Sequence, residues 1–245
     1  MSTGAKDWVV VTGASGALGG GVVARFAELG YPVLGLDQNA SGSSQGSSVV
    51  ERILDLTQAE SVDQVLEECV PRSQKIGILV NAMGLIWNEP TIAMRGAALR
   101  AHDAEAWRRV IEVNLTAPFL VASRVAARMA RKGGGLIVNF SSISGRGNPG
   151  QPAYSAAKAG IEGMTRAMAA ELGPMRVRVN AIAPGFIDVP STRGALSAEQ
   201  LSGLRARTPL RGLGSLEDIL KAIEFLVDSP FVTGAVLDIN GGLRI

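Results

Sequence analysis

The sequence predicts an α/β chain with a doubly wound Rossmann fold: a seven-stranded parallel sheet with helices on both faces. Three observations predict it. Short apolar runs rich in β-branched residues alternate with helical patterns along the whole chain, and strands separated by helices are joined by crossovers, which makes the sheet parallel. The first run leads straight into a glycine-rich turn, Thr12 to Gly19, and the turn leads into a helical pattern. Finally, 245 residues of 47% hydrophobic composition suffice for one sizeable core, so residues 1–245 read as a single domain.

The runs expected as strands are Val9–Val11, Val33–Leu36, Ile53–Leu54, Ile76–Val80, Leu136–Phe140, Val177–Ala183 and Val236–Ile239. A strand buried on both faces is predominantly apolar, as these are. After the glycine turn, Val22, Val23, Phe26, Ala27 and Leu29 recur at helical spacing, and Gly30 marks the stop. Long helices are expected over Ala104 to Arg131 and Ser155 to Leu172, both rich in alanine. The serine- and glycine-rich stretch Asn39 to Ser48 reads as a surface loop. Leu85 to Asp103 and Phe186 to Pro209 read as irregular.

Composition excludes several functions. The net charge is +2 and the pI about 8.9, too slight an excess to argue for nucleic acid or an anionic membrane. Arg124, Arg128, Arg131 and Lys132 form a basic stripe whose helical spacing reads as a solvated face. Cys69 is the one cysteine and His102 the one histidine. An internal disulfide, a Ser-His-Asp triad and a zinc site of the usual kind are therefore not expected, and no metal is. No apolar run approaches the length of a membrane span and no signal-peptide pattern opens the chain, so a cytoplasmic location is expected.

The chemistry-bearing residues fall into two groups. Strand, glycine turn and helix form the context of a dinucleotide-binding site. The glycines let the backbone approach a pyrophosphate, and the helix N-terminus offers unpaired N–H groups to it. Asp37 ends the second strand, 18 residues after Gly19. An acid there can bond the ribose hydroxyls of NAD and repel the 2′-phosphate of NADP. Neither Ser15 nor Gln38 supplies a counter-ion for that phosphate, so NAD is expected over NADP. The second group is Tyr154 and Lys158, one helical turn apart on one face. A cation beside the phenol would lower its pKa and make Tyr154 an acid/base group.

These segments, together with Asp55-Leu56, Asn81-Ala82-Met83-Gly84, Asn114, Ser141-Ser142, Pro184-Gly185 and Gly241-Gly242, resemble the short-chain dehydrogenase/reductase family across essentially the whole chain. The resemblance implies an oxidoreductase that interconverts a secondary alcohol and a ketone. Gly13, Ser15, Gly16, Ala17, Leu18, Asp37, Asp55, Leu56, Asn81, Ala82, Met83, Pro184, Gly185 and Ile187 would hold the cofactor, together with Tyr154 and Lys158. Tyr154 would exchange the hydroxyl proton, Lys158 would tune it and hold the nicotinamide ribose, and Asn114 would anchor a water chain from the lysine. Read from the preceding strand, Ser142 matches the serine that bonds the reacting oxygen. Counted back from Tyr154, Ser141 fits better. Ser142 is preferred, because a loop absorbs a deletion more easily than a strand end does.

The sequence departs from the family pattern in places. Ala17 stands where many relatives have glycine. Met83 puts a flexible side chain near the expected nicotinamide pocket. Val189 replaces a threonine whose hydroxyl bonds the carboxamide. Leu85, Ile86, Trp87, Pro90, Ile92 and Met94 suggest apolar substrate walls, with Arg95, Arg100 and Arg146 left as partners for an acidic group. A moderately apolar alcohol or ketone is expected. A 3-hydroxyacyl thioester dehydrogenase or 3-oxoacyl reductase is the alternative, and a non-catalytic dinucleotide-binding relative is the second. The family also implies a homotetramer or homodimer.

Overall fold

The computed structural model describes residues 6–40, 48–96 and 98–245, and only the backbone of Arg95. Most of the expected loop Asn39 to Ser48, and the Arg95 side chain, lie outside the described residues. The strands are β1 (Trp8–Thr12), β2 (Val33–Asp37), β3 (Val49–Ile53), β4 (Ile76–Asn81), β5 (Ile92–Arg95), β6 (Ala98–Ala101), β7 (Gly135–Phe140), β8 (Val177–Pro184) and β9 (Val236–Ile239). The helices are α1 (Ala17–Glu28), α2 (Ala59–Cys69), α3 (Ala104–Ile111), α4 (Ala117–Arg131), α5 (Pro152–Leu172), α6 (Pro190–Ala195), α7 (Ala198–Arg207) and α8 (Leu216–Asp228). Seven strands form one sheet in the order β3-β2-β1-β4-β7-β8-β9, and every pairing is parallel. The order reverses between β1 and β4. In an open parallel sheet the crevice at such a reversal, outside the carboxyl ends of the strands, is where ligands bind.

Alternate residues of each strand feed two cores. Val10, Leu34, Leu36, Leu79 and Ile137 pack with Val62 and Leu66 of α2, Val121, Val125 and Met129 of α4, and Met168 of α5. Val9, Val11, Val33, Val80 and Val138 pack with Val22, Val23 and Phe26 of α1 and with Ile219, Ile223 and Leu226 of α8. Both sheet faces are therefore dry, which is why the strands read as unbroken apolar runs. Within this apolar sandwich runs a polar chain. Thr12 Oγ1 donates to Asn81 Oδ1 (3.3 Å), Asn81 Nδ2 to Asn139 Oδ1 (3.0 Å), and Asn139 Nδ2 to Thr165 Oγ1 (3.0 Å). All four residues are buried, so a misaligned register between β1, β4, β7 and α5 would strand a buried amide, at a cost of about 1–3 kcal/mol.

Four expectations are corrected. The third strand is Val49–Ile53, not Ile53–Leu54. It is the sheet edge, and the polar Glu51 and Arg52 that hid it are tolerated because only one side of it is paired. Leu85 to Asp103 is not irregular throughout, because β5 and β6 form an antiparallel hairpin with Gly96 at φ 65° in its turn. Phe186 to Pro209 contains α6 and α7, the latter opened by a capping box between Ser197 and Gln200. The helix expected over Ala104 to Arg131 is continuous but carries one π-helical turn, Glu112–Thr116. By length and composition this helix could cross a membrane, yet its apolar residues Val110, Val121, Val125 and Met129 are fully buried in the fold.

The basic stripe of α4 is not a solvated face. Arg128 donates to the carbonyls of Leu66 and Val70 (2.6 Å each) at the C-terminal end of α2. Arg124 reaches Asp63 and Ala59 O (3.1 Å each), and Lys132 reaches Ser73 O (3.3 Å). The stripe fastens α2 to α4. Arg128→Ala is expected to lower unfolding stability by about 2 kcal/mol, through the loss of two charge-assisted bonds. Arg131→Ala, on the exposed side of the same turn, should change it by less than about 0.5 kcal/mol. Urea titration of both variants checks the difference.

Candidate active site

The carboxyl edge of the sheet collects nearly every candidate residue. Thr12 ends β1, and Gly13 turns at φ 70°. A Cβ there would lie 2.7 Å from the backbone of Met83, and one on Gly19 would lie 2.1 Å from Gly13 O. Only glycine fits either position. Gly16 caps α1 with no side-chain bond, and the first turn of α1, beginning Ala17-Leu18, holds no acid. The helix N-terminus therefore keeps its unpaired N–H groups and its positive dipole end for an anion. Ala17 does not disturb the turn: it is the first residue of the helix.

Asp37 lies beside this turn. Its Oδ2 accepts from Ser15 N and its Oδ1 from Asn39 N, both at 3.0 Å. A carboxylate has roughly four acceptor positions, so two remain for hydroxyl groups. A cleft of about 210 Å³ opens here between Gly13, Ser15, Gly16, Asp37, Asp55, Leu56, Ala82 and Met83. Asp55 accepts from Thr57 N (2.9 Å) and Thr57 Oγ1 (2.7 Å), and these bonds hold its carboxyl below the usual range. Met83 lines this cleft and packs on the core beneath it. Arg109 and Val113 line it too. The sequence reading missed both, and no motif marks them; they arrive through the helix that carries Asn114. A cradle shaped by obligatory glycines, an open helix N-terminus and an acid with free acceptors fits a dinucleotide.

Ser142, Tyr154, Lys158 and Asn114 gather at the carboxyl ends of β4 and β7. Pro152 starts α5 at a position that needs no N–H, and the helix then presents Tyr154 and Lys158 on one face. Both are buried, at 9% and 3% exposure. The Tyr154 phenol hydrogen-bonds Ser142. Ser141 faces elsewhere: its hydroxyl lies 3.1 Å from Lys158 O and from Glu162 Oε1. Lys158 Nζ donates to Phe140 O at 2.8 Å and stands 5.6 Å from the Tyr154 ring centroid. Asn114 sits in the π-helical turn, fully buried. Its amide donates to Leu85 O (2.9 Å) and Val110 O (3.0 Å) and accepts from Leu85 N (3.1 Å). A Cβ on Gly84 would lie 3.1 Å from Asn114 Oδ1 and 3.5 Å from Lys158 Nζ. Gly84 is the gap through which asparagine and lysine approach each other.

The ionisation of the pair differs from expectation. Burial pushes the Tyr154 phenol above its usual value, with the Ser142 bond opposing it. Burial also pushes the Lys158 ammonium down to about 8. The lysine does not lower the phenol here because its charge lies over the ring face, tied to Phe140 O, rather than against the phenolic oxygen.

Other candidates separate from this centre. Gly185 and Ile187 follow the end of β8, next to β7 on the same sheet edge. Gly185 is required by Asn240, whose Cα a Cβ would meet at 2.8 Å. Val189 is buried in the core and caps α6 without a side-chain bond. Arg146 is held by Asp238, so it is not a free partner for an acidic substrate. A polar cluster at the start of α5 was not anticipated. Gln151 Oε1 accepts from Ser144 Oγ (3.0 Å) and Asn148 Nδ2 (2.8 Å), and its Nε2 donates to Asn88 Oδ1 (2.6 Å). It ties the segment after β4 to the helix that carries Tyr154.

Comparison with known proteins agrees with this geometry. A family model described as Enoyl-(Acyl carrier protein) reductase matches residues 13–244. The 3-oxoacyl-[acyl-carrier-protein] reductase of Thermotoga maritima is 36% identical over 96% of this chain and 97% of its own. That of Pseudomonas aeruginosa is 35% identical over 96% of each. A crystal structure assigned as a gluconate dehydrogenase from Agrobacterium tumefaciens superposes with TM-score 0.84 at 26% identity, over 98% of this chain and 96% of that one. The chain belongs to the short-chain dehydrogenase/reductase family. It is an oxidoreductase acting on CH–OH groups with a nicotinamide dinucleotide.

The buried ammonium has a thermodynamic signature. An unfolded lysine keeps its proton to about pH 10.5, whereas Lys158 releases it near 8. Between those values the unfolded chain binds one more proton, so stability rises with pH across that window. Below it, the buried charge costs about 3 kcal/mol relative to a solvated one. Lys158→Met is expected to raise stability at pH 7 by about 1–2 kcal/mol, since the orphaned Phe140 carbonyl offsets part of the gain. It should also abolish the rise between pH 8 and 10.5. Denaturant titrations of both proteins across that range check it; a less stable variant at pH 7 would reverse the assignment.

Proposed function

We propose that this protein interconverts a moderately apolar secondary alcohol and its ketone with NAD(H), using Tyr154 as acid/base. The observation that carries the reading is the Ser142–Tyr154 hydrogen bond beside the buried Lys158 ammonium. The bound dinucleotide would supply or accept the hydride. Ser142 orients the reacting oxygen, and Tyr154 gives or takes its proton. Lys158 keeps a positive charge beside that exchange. Asn114, fixed by Leu85 and Val110 and next to Gly84, would pass protons from Lys158 toward solvent. Gly13, Gly16 and the α1 N-terminus hold the pyrophosphate, with Asp37 on the adenosine ribose and Asp55, Leu56, Ala82 and Met83 around the adenine side.

The apolar substrate rests on Ile86, Trp87, Ile92 and Met94, which are exposed on the segment after β4. A 3-oxoacyl thioester is the second reading, supported by the two reductases named above. A panel of simple ketones and 3-oxoacyl thioesters separates the two. We also propose assembly about a two-fold axis through α4 and α5, supported by Phe119, 47% exposed on α4. Light scattering at micromolar concentration is expected to give a multiple of 25.5 kDa; a monomer would overturn it.

Two measurements test the chemistry. Tyr154→Phe is expected to lose at least ~99% of kcat, the lower end of a general acid/base contribution, while binding NADH as the wild type does. Ser142→Ala should follow it, whereas Ser141→Ala, whose hydroxyl serves α5, should keep most activity. A Tyr154→Phe variant with more than a few percent of wild-type kcat would remove the phenol from the mechanism.

For the cofactor, neither Ser15 nor Gln38 beside Asp37 is basic, so a 2′-phosphate placed against the Asp37 carboxylate meets repulsion. NADH is expected to exceed NADPH by at least ~10-fold in kcat/KM, about 1.4 kcal/mol. Asp37→Ala should narrow that ratio. Equal turnover with NADPH would reject the assignment.

A further inference from the structure

The carboxyl edge of the sheet is not the only concave surface. At the opposite edge, where β1, β4, β7 and β8 begin, a groove of about 550 Å³ is lined by Lys6, Asp7, Tyr31, Lys75, Arg176 and Arg178, over a floor of glycines. It shares no residue with the dinucleotide cleft. Four cations face one carboxylate, and Lys75 takes that carboxylate, Asp7, at 3.1 Å. Lys6 bonds the carbonyl of Leu29 and lies 4.4 Å from the centroid of the Tyr31 ring. Arg178 donates to the carbonyls of Leu226 (2.7 Å), Ser229 (3.0 Å), Val232 (3.3 Å) and Val227 (3.4 Å). It ends α8, and no carboxylate neutralises it there.

Arg176 is the telling residue. Its backbone is left-handed, φ 61° and ψ 24°, a conformation that only Arg176 and Arg211 adopt among the described non-glycine residues. Glycine would adopt it without strain. The guanidinium pays no part of that strain back within the fold: among the described residues it has no hydrogen-bond or ion-pair partner. The turn of Gly133 and Gly134 packs against the backbone of position 176, where a Cβ on Gly134 would lie 2.1 Å from the carbonyl oxygen. A strained arginine with an unused planar fork, at the rim of a groove holding three further cations, is a site for a multiply charged oxyanion.

We propose that this groove binds a phosphate-bearing small molecule. Its volume is that of a small-molecule pocket rather than a single-ion site. An oligophosphate would satisfy Arg176, Lys6 and the exposed side of Arg178, and would compete with Asp7 for Lys75. The Tyr31 ring would flank any base or acyl group attached to it.

Calorimetric titration tests this with the cofactor cleft first saturated by NADH and ionic strength matched with chloride. Sodium tripolyphosphate is expected to bind wild type at one site per chain. Arg176→Gly should weaken that binding at least tenfold, yet melt at a higher temperature than wild type without ligand, since its backbone strain is relieved. Lys75→Gln, in which the Asp7 pair is also broken, should weaken it too. Equal affinity for adenosine triphosphate identifies the phosphates alone as the recognised group, and tighter binding identifies a nucleotide. No binding by wild type at millimolar tripolyphosphate, or an Arg176→Gly affinity within twofold of wild type, overturns the proposal. Ketone reduction should be unchanged in Arg176→Gly without ligand, which separates this site from the reaction centre.

Discussion

The active end of this molecule depends on a lysine ammonium buried without a carboxylate. Lys158 is held by one backbone carbonyl, that of Phe140, and the desolvation it suffers is severe enough to bring its pKa to about 8. A charge placed so needs rigid surroundings, because a small shift would let water or a carboxylate reach it. The rigidity comes from three sides. Phe140 ends β7 in the middle of the sheet, where β4 and β8 pair with it on either side. The buried Thr12–Asn81–Asn139–Thr165 chain fixes the register of β1, β4 and β7 against α5, the helix that carries the lysine. Asn114 pins the chain after β4 through both edges of its amide, and Gly84 leaves just enough room between the two.

The π-helical turn belongs to the same argument. An extra residue in a helix shifts one side chain relative to those around it and leaves backbone groups misaligned. Here the shifted residue is Asn114, and its side chain takes over the bonds to Leu85 and Val110 O that an ordinary turn would not offer. The internal hydrogen bond of Asn114 and its place beside the lysine are thus compatible: one amide satisfies the helix while it faces the site.

What was legible in the sequence follows from burial. Six of the seven sheet strands lie close to the expected runs, because the central ones are dry on both faces and so are predominantly apolar, and the edge strand β9 is apolar except at Asp238. β3 was misplaced because an edge strand can carry Glu51 and Arg52. The hairpin β5–β6 was hidden because its side chains stay exposed, so no period of burial is imprinted on it. α7 was hidden for the same reason, although Ser197 and Gln200 are a readable capping box. The spacing of Tyr154 and Lys158 placed both on one helix face, but spacing alone carries no information on what surrounds an ammonium. The lowered phenol was expected from a cation one turn away; where that cation points is decided by Phe140 O, a backbone atom that no side-chain pattern reveals. The basic stripe of α4 failed similarly: Arg128 is taken by carbonyls at the C-terminal end of α2, invisible to a reading of side chains.

The placement of strain and glycine separates the two ends of the sheet. At the carboxyl edge every obligatory close approach is made by glycine: Gly13 against Met83, Gly19 against Gly13, Gly84 against Asn114, Gly185 against Asn240. Glycine at these positions suits a surface that must lie close to a large ligand. At the amino edge the left-handed position before β8 is held by Arg176, where glycine would be the unstrained choice. Arg211, next to the Leu210–Gly241 bond at the carboxyl edge, is also left-handed, but its guanidinium donates to Ala206 O, whereas that of Arg176 has no hydrogen-bond or ion-pair partner among the described residues. The two edges thus offer an anion different devices, backbone N–H groups at a helix terminus on one and cationic side chains on the other.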